Sequence, residues 1–341
     1  MASARIALDV MGGDHAPQST LLGAKLALEA WPDLVLLLVG DEARLKALLP
    51  EHGLAGELAK RIELVHAPSV VTMEDKATSV LKEKKDSSMR VAAQLVREGR
   101  AHGVVSMGHT GAAMVASSMV IGRLDGVDRP GLASVMPNRQ GRPTVLIDVG
   151  SNVDCRADHL AQFAVMGAVY AEQVLGVANP KVGILSVGEE EGKGTEVTRE
   201  ASVLLRGLPL NFAGNAEGRD IWNGNFDVIA CDGFVGNVVL KSSEALAGAV
   251  VAGIKESLAG SLATKVGALM VKPGLKAFFQ KFDYREYGGL PLLGIKGVSV
   301  IGHGSSDAKA VKNGIGAAVR TYEGRVSERI QAGIAGLLPK E

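Results

Sequence analysis

The sequence predicts a three-layer α/β/α fold around a mostly parallel sheet. Short apolar runs, of the kind buried on both faces of a parallel sheet, alternate with helical segments along the chain. Strands that are joined through helices run parallel and cross over in a right-handed sense. Most of these runs also end in a glycine followed by small polar or charged residues, which is typical of the ligand-binding edge of such a sheet.

The amino-acid composition excludes several classes of protein. The 341 residues are enough for a large core, and 47% hydrophobic against 22% charged residues indicates a globular chain. A formal net charge of zero argues against a broad nucleic-acid surface. Cys155 and Cys231 are too few for a disulfide framework and lack metal-ligand spacing. We find no signal-peptide core and no apolar stretch of about 18 residues, and therefore expect a cytoplasmic chain that does not span a membrane.

The expected strands are short and the helices between them are longer. The strands cover residues 5–10, 34–40, 62–66, 103–106, 132–136, 144–149, 182–187, 210–213, 226–230 and 298–301. Helices are expected over 17–31, from 41, over 87–97, from 112, over 157–175, and from 307 toward 320 and then 337. The charged segment 68–85 is most simply a solvated face, with a mobile lid or a docking site as the alternative.

The loop after the fourth strand is the centre of the expected site. Ser106 ends the strand, and Gly108 and Gly111 then bracket His109 and Thr110 ahead of a run of helix-forming residues. A helix start presents unpaired N–H groups and the positive end of the helix dipole, which suits phosphate. Thr110 is expected to cap this helix and to offer its hydroxyl to a ligand. The alternative is an ordinary strand-to-helix turn with a threonine cap.

The other strand ends supply more polar groups. Residues 9–17 alone carry two acids, a histidine and two glycines, more than a turn requires. The candidate residues at these ends are Asp9, Gly12, Gly13, Asp14, Asn152, Glu189, Asn215, Asp232, Asn237, His303, Ser305 and Ser306, with Lys241 in the helix after Asn237. We expect all of these ends to lie on one edge and to form one wide cleft. The adjacent acids at 189–191 diverge in direction and do not favour a metal site.

The absence of several known sequence motifs restricts the reactions that this site could catalyse. The chain has no Walker A, G-x-G-x-x-G, G-x-S-x-G or H-E-x-x-H motif, so nucleotide binding, a serine nucleophile and a zinc site are not indicated. Cys231 is either a nucleophile or, as is commoner, a buried thiol. The remaining amides, hydroxyls and imidazoles suit an anion held next to an acyl group, and phosphate is a nucleophile that chiefly needs positioning.

Six motifs, taken in order, resemble those of the bacterial phosphate acyltransferases, which make acyl phosphate from acyl-acyl carrier protein. They cover residues 9–17, 108–112, 187–194, 214–220, 232–241 and 302–306. His109 stands where asparagine is usual in that family, Ser151 where alanine is usual, and Asp307 where an uncharged residue is common.

The resemblance implies a reaction, a fold and partners. An acyl-carrier thioester and inorganic phosphate would give acyl phosphate and free carrier, and a glycerol-3-phosphate acyltransferase of the membrane would use the product in phospholipid synthesis. The implied fold is similar to phosphotransacetylase and the isocitrate dehydrogenase-like enzymes. The implied assembly is a homodimer, and the implied reaction needs no metal or organic cofactor.

If the chain carries out this acyl transfer to phosphate, the candidate residues can be assigned roles in the reaction. The expected phosphate site consists of Ser106, His109, Thr110, Gly111, Asn237 and Lys241. His109 and His303 are the candidates for giving a proton to the leaving thiolate. Asn215 and Asn237 are the candidates for stabilising the tetrahedral oxyanion.

A helical hairpin over 245–285 is expected to extend from a single α/β catalytic unit that spans 1–341. Apolar residues recur at helical spacing from Ile254 onward, and lysines accompany them. Pro273 and the following glycine are expected to break the run into two helices. The simpler interpretation is a dimer interface or a hairpin core. The alternative is a tip on an anionic membrane, with the dimer contact near 245–254.

Two other functions remain open. A phosphotransacetylase acting on a short acyl-CoA would share the cleft, because coenzyme A and carrier thioesters share the pantetheine arm. Such an enzyme would not need the apolar, lysine-rich hairpin. A non-catalytic membrane recruiter of lipid-synthesis enzymes would have no use for a phosphate cleft.

Overall fold

Eleven strands form one sheet in this computed structural model, which describes residues 3–259, 262–281 and 284–337. The strands are β1 (Arg5–Asp9), β2 (Val35–Gly40), β3 (Ile62–His66), β4 (Gly103–Ser106), β5 (Gly131–Met136), β6 (Thr144–Ile147), β7 (Val182–Leu185), β8 (Phe212–Ala216), β9 (Val228–Ala230), β10 (Leu290–Leu293) and β11 (Val298–Ile301). The helices are α1 (Gln18–Ala30), α2 (Glu42–Glu51), α3 (Ser88–Arg97), α4 (Thr110–Ala116), α5 (Ala157–Leu175), α6 (Glu196–Arg206), α7 (Gly218–Asn223), α8 (Gly233–Ala259), α9 (Leu262–Lys281), α10 (Ala308–Glu323) and α11 (Val326–Ile334).

Apolar clusters hold helices onto both faces of the sheet. One cluster joins α3 and α4 to strands from both halves of the sheet, through residues such as Ala92, Ala113 and Ile229. On the opposite face, α1 and α10 pack on one half of the sheet and α5, α6 and α11 pack on the other half. The predicted three-layer fold is therefore confirmed.

The sheet contains two parallel groups that run in opposite directions. The strand order is β3-β2-β1-β4-β11-β10-β5-β6-β9-β7-β8. The first five strands in this order are parallel to one another, and so are the last four. Between them, β10 is antiparallel to both of its neighbours and β5 is antiparallel to β6. The strand direction therefore reverses three times across the sheet. The expectation that all strand ends share one edge is wrong.

Strand β10, which brings in two of these reversals, is not predicted by the sequence pattern. The strand contains Pro291, which has no N–H to donate and argues against a strand at the centre of a sheet. Leu290 and Pro291 pair with β11, whereas Leu292 and Leu293 pair with β5. Each half of this short strand thus pairs with one neighbour, and its place in the sheet depends on tertiary contacts rather than on its own pattern.

The register separates the two sets of strand ends. Ser106 ends β4, and Asp148 directly follows β6. Four strand pairings, from β4 through β11, β10 and β5 to β6, separate these two residues, or roughly 19 Å along the sheet at about 4.8 Å per pairing. A ligand of the size of phosphate therefore contacts one set of strand ends and not both.

Two shorter segments also differ from expectation. β8 begins and ends later than the predicted 210–213, so Asn215 lies within the strand and not in the loop after it. The charged segment 68–85 is not wholly a solvated face, because Ser79 and Val80 are buried in a short 3₁₀ helix that packs on α4. This segment therefore covers part of the edge at which β4 ends.

α8 and α9 form the long helical pair near the carboxyl end of the chain. Pro273 lies inside α9, so the expected break at this proline is wrong. A proline removes one N–H from a helix, and on an exposed helix water can bond the carbonyl that loses its partner. α8 ends at Ala259 and α9 begins at Leu262, so the two helices are divided about a dozen residues before the proline.

α8 is mostly exposed and strongly apolar. By length and composition alone it could cross a membrane, and little of its apolar surface is buried. The sequence still contains no uninterrupted apolar stretch of about 18 residues, because polar residues such as Lys241 and Glu244 interrupt the apolar residues of α8. The first two turns of α8 are held by the sheet, where Gly233, Gly236 and Leu240 are buried.

Candidate active site

The loops that follow β1, β4 and β11 meet at one edge of the sheet. This first loop group consists of residues 10–17, 107–109 and 302–307. The Asp14 N–H donates to the Gly304 carbonyl oxygen at 2.8 Å. Gly13 has φ +106°, and a β-carbon there would lie 3.0 Å from the Met107 oxygen, so the approach of the loops requires glycine. Candidate residues from the two ends of the chain are thus brought together.

A buried carboxylate lies beneath this group. Asp9 is 1% exposed, and the Ser106 hydroxyl donates to its Oδ2 at 2.7 Å while accepting the Gly108 N–H at 3.2 Å. Burial raises the pKa of the Asp9 carboxyl, and the nearby Ser88 and Ser106 hydroxyls oppose this rise. A β-carbon on Gly12 would stand 2.5 Å from Asp9 Oδ2. Asp9 and Ser106 therefore fix the backbone of the loop that leads into α4.

α4 begins at the edge of the first loop group. It continues through a π-helical turn, so the helical segment spans Thr110–Ile121. His109 is its N-cap, with Nδ1 accepting the Ala112 N–H at 3.2 Å, so the expectation that Thr110 caps the helix is wrong. A ring nitrogen can replace the usual capping oxygen because it also accepts a hydrogen bond. Because Nδ1 is used as the acceptor of the cap, Nε2 is the ring nitrogen left to contact a ligand.

The loop after β11 supplies the second histidine. His303 is exposed, and its Nδ1 lies 2.8 Å from the Ser305 hydroxyl and accepts the Ser305 N–H at 3.2 Å. Ser306 is buried and its N–H donates to the His303 carbonyl at 2.9 Å. Asp307 caps α10 and pairs with Arg285 at 2.8 Å. Against partial burial, the α10 N–H and the Arg285 guanidinium lower the pKa of Asp307.

A second loop group follows β6 and β9, at residues 148–156 and 231–237. The fully buried Asp148 carboxylate accepts backbone N–H groups from Leu132, Gly150, Ser151 and Asn152. The Asn152 amide donates to it at 2.9 Å and to the Pro130 oxygen at 2.8 Å. Burial raises the pKa of Asp148, and these hydrogen bonds oppose the rise. Asn152 is thus used to order its own loop.

α8 starts in the second loop group. Asp232 Oδ1 accepts a backbone N–H of the first turn at 2.9 Å. Asn237 is exposed and its side chain borders Gly150. Lys241 Nζ pairs with Glu244 at 2.9 Å on a half-exposed surface. The structure therefore brings Asn237 and Lys241 to the second loop group, apart from the residues around the start of α4.

The ends of β7 and β8 form a separate contact. Asn215 is buried, and its Nδ2 donates to the Glu190 carbonyl at 2.7 Å. Glu189 pairs with Arg219 at 2.8 Å, with both side chains exposed. The Asn215 amide thus holds the acidic loop after β7, a role that needs no ligand.

Two residues that the sequence analysis did not assign are central to these groups. Asp148 organises the second loop group, and an acid two residues before a glycine at a strand end is the signal that points to it. Ser88, at the start of α3, is 1% exposed, and its hydroxyl and Asp9 Oδ1 are buried with no hydrogen bond to the described residues. Sequence spacing gives no sign of this approach between Ser88 and Asp9.

Two further possibilities are a cysteine nucleophile and a metal-binding cluster, and the structure offers another explanation for each. Cys231 Sγ lies buried 3.3 Å from the Asp148 carbonyl oxygen, and burial raises the pKa of this thiol well above its ordinary value, as a structural cysteine requires. Within the described part of the chain, Asp128, Asp158 and His159 place one possible ligand atom each within 4.8 Å of one another. Arg156 pairs with both of these acids and offsets their charge.

Comparisons with known proteins agree with this architecture. A family described as "Fatty acid synthesis protein" matches residues 4–329. A protein of Pelotomaculum thermopropionicum named phosphate acyltransferase is 50% identical over 333 residues, which cover 98% of this chain and 96% of that protein. A protein of Aquifex aeolicus with the same name is 48% identical over 341 aligned residues, covering 98% of each chain.

Solved structures share the fold at low sequence identity. A phosphotransacetylase from Streptococcus pyogenes matches with a TM-score of 0.64 and 16% identity over 94% of each chain. One from Staphylococcus aureus matches with a TM-score of 0.60 and 17% identity over 93% of this chain and 94% of that chain. The sheet and its loops thus define a phosphotransacetylase-like α/β/α fold. The chain belongs to the phosphate acyltransferase family, and the protein is an acyltransferase.

Proposed function

We propose that this enzyme transfers a fatty acyl group from acyl-acyl carrier protein to inorganic phosphate and releases acyl phosphate. The observation that carries the proposal is the amino-terminal end of the helix Thr110–Ile121, set among the glycine-lined loops of the first loop group. The names of the relatives supply the reaction class, and the apolar surface of α8 suits a long acyl chain better than an acetyl group. A glycerol-3-phosphate acyltransferase of the membrane would use the product.

The phosphate site lies at the start of α4 in this proposal. The first N–H groups of the helix and the positive end of its dipole attract the anion. The Thr110 hydroxyl donates to a phosphate oxygen, since His109 serves as the cap. The absence of a β-carbon at Gly111 lets Ala77 and the His109 ring pack against the first turn of the helix, each 3.2 Å from where that carbon would lie. Asp9 and Ser106 act as positioning residues through the hydrogen bonds that hold this loop.

In the chemical step, a phosphate oxygen attacks the thioester carbonyl carbon. The new C–O bond forms, the C–S bond breaks, and the electron pair moves to sulfur, which takes a proton. His303 is the better proton donor of the two histidines. The His303 side chain is exposed and its Nδ1 is held by Ser305, whereas the His109 ring is partly buried and its Nδ1 caps α4.

The acyl chain is proposed to extend toward the second loop group. Phe234 and Val238 expose 61% and 48% of their surface in the first turns of α8, beside that group. They offer an apolar surface beside the second loop group that continues along the exposed face of α8. Asn237 and Lys241 would line the polar edge of this surface rather than the phosphate site, and the separation of β4 from β6 in the sheet supports this division.

The α8–α9 pair is proposed to contact an anionic membrane near its tip and a second copy of the chain near its root. Leu269 and Met270 are 70% and 80% exposed, and Lys265 and Lys272 are exposed beside them. Each lysine near an anionic surface contributes about 1 kcal/mol. An amphiphilic acyl phosphate would be released at such a surface, and the enzyme would be a cytoplasmic protein attached peripherally to the membrane.

The deciding experiment compares donors. Phosphate-dependent release of free thiol is measured with hexadecanoyl-acyl carrier protein and with acetyl-CoA at equal concentration. We expect turnover with the carrier substrate and little with acetyl-CoA. The reverse preference would establish the alternative, a phosphotransacetylase. The two solved structures that share this fold belong to that class.

A further inference from the structure

A groove of about 500 Å³ lies on the surface of α3, at the edge of the sheet formed by β3. Val65 of β3 and Val91 and Leu95 of α3 form its apolar floor. The polar residues around this floor are Lys85, Arg90, Gln94, Glu98 and Arg100. The groove is separate from both loop groups, and the reaction steps described above use none of its residues.

The charge of this groove is positive although the chain as a whole is neutral. Three cations face one acid among its lining residues, and one of these cations, Arg100, is paired with Glu63 of β3, which also pairs with Arg5. Lys85, Glu98 and Arg100 are exposed, and Arg90 is half-buried with its guanidinium donating to the Val80 carbonyl at 3.3 Å. A mixed apolar and basic groove fits an acidic helix that presents a few apolar side chains. Complementary charges of this kind speed encounter and select the partner.

The groove is also placed to serve the first loop group. α3 begins at Ser88, whose hydroxyl approaches the Asp9 carboxyl beneath the phosphate site. At a rise of about 1.5 Å per residue, Gln94 lies roughly 9 Å along α3 from Ser88. A partner in the groove would therefore stand close enough for a flexible arm to reach the loops after β1 and β4.

We propose that this α3 groove is the docking surface for the acyl carrier protein, recognised through an acidic helix. The inference rests on the proposed function, because it needs a donor whose thioester is carried on an acidic protein. The carrier would bind at the β3 edge, its pantetheine arm would bring the thioester to the start of α4, and the acyl chain would continue toward α8.

The test is a charge reversal in the groove. Lys85→Glu/Arg90→Glu is compared with Lys46→Glu/Lys296→Glu, which makes the same change in net charge on α2 and on the loop after β10. Steady-state kinetics use hexadecanoyl-acyl carrier protein and, separately, a hexadecanoyl-pantetheine thioester that lacks the carrier. Lys85→Glu alone provides a second variant that leaves the Arg90–Val80 hydrogen bond in place.

We expect the groove variants to raise the KM for the carrier substrate about tenfold or more and to leave turnover of the pantetheine thioester unchanged. The control variant should match the wild type, and the wild-type KM for the carrier should rise with salt. An unchanged carrier KM in a folded groove variant overturns the docking surface and leaves the proposed function standing. Wild-type turnover of the pantetheine thioester without turnover of the carrier substrate overturns both. A variant that changes only the oligomeric state in sedimentation shows a second copy in the groove instead.

Discussion

The hydroxyl of Ser106 donates a hydrogen bond of 2.7 Å to Oδ2 of Asp9, a residue 97 positions earlier in the chain. The same hydroxyl accepts the Gly108 N–H, so one side chain links the end of β1 to the loop that precedes α4. The geometry of the proposed phosphate site therefore depends on a carboxylate that lies beneath it and contacts no solvent.

Replacing Asp9 by asparagine should change how stability depends on pH. Burial raises the pKa of Asp9 above its ordinary value, so the folded protein keeps a proton that the unfolded chain releases. This contribution to stability is present below the ordinary pKa of about 4 and is lost as the pH rises through the raised pKa. The wild-type free energy of unfolding should therefore fall relative to that of Asp9→Asn over this range. Urea titrations at several pH values measure the difference, and parallel curves would contradict it.

Removing the Thr110 hydroxyl should weaken phosphate binding. Thr110→Val keeps the shape of the side chain but loses a donor to a charged ligand, which contributes about 1.5–3 kcal/mol. We expect the KM for phosphate to rise about tenfold or more, with a smaller change in the KM for the acyl donor. Thr110→Ser should restore most of the loss, and initial rates over a range of phosphate concentrations provide the measurement.

The separation of the two loop groups makes a matched control for that experiment. Asn237→Ala and Lys241→Met alter residues of α8, which follows β9, five strand pairings from Ser106 at the end of β4. We expect both variants to keep the wild-type KM for phosphate and to change the kinetics of the long-chain acyl donor. A raised phosphate KM in either variant would return that residue to the phosphate site and refute the division into two groups.

His109 should be replaceable by asparagine. The structure uses its Nδ1 as the cap of α4, and an asparagine oxygen caps a helix at least as well. His109→Asn should retain turnover and stability, whereas His109→Ala should lose about 1 kcal/mol of stability with the cap. Thermal unfolding and turnover of the two variants separate a capping role from proton transfer, which asparagine could not replace.

Replacing His303 should slow turnover most for thioesters whose thiolate is a poor leaving group. Without a proton donor the alkyl thiolate leaves slowly, so His303→Gln should lower kcat for the carrier thioester by about a hundredfold. An aryl thioester has a stabilised leaving thiolate that needs no proton, and the variant should turn it over nearly as fast as the wild type does. Equal losses on both substrates would instead indicate a role in binding or loop structure.

Charges placed on α9, about two turns from the tip of the helical pair, should remove membrane binding. Leu269→Glu/Met270→Glu puts two acids among exposed lysines, and we expect most of the protein to stay in the supernatant after sedimentation with anionic vesicles. Leu22→Glu, at an apolar site of α1 that is 44% exposed, serves as the control and should still sediment. Wild-type sedimentation by the α9 variant would assign this apolar surface to protein contacts.

The sequence predicted most strands because a buried parallel strand is recognised by its uninterrupted apolar run. It could not predict β10, whose Pro291 is atypical of a central strand, and so it could not predict the direction of β6 and its neighbours. The loop residues were found, but their grouping was not, because grouping depends on strand order. Asn152 and Asn215 show the same limit, since their amides satisfy neighbouring backbone and side-chain groups that spacing alone does not reveal.

The late position of β10 and β11 in the chain has a consequence for biosynthesis. β4 and β5 are consecutive strands in the sequence, yet β11 and β10 lie between them in the sheet. Until the ribosome has released residues 290–301, each half of the sheet ends in a strand with an open edge, which is prone to pairing with other chains. Closing such a long-range pairing is intrinsically slow. The nascent protein therefore carries two half-sheets through almost the whole of translation, and a chain truncated before Leu290 would never join them.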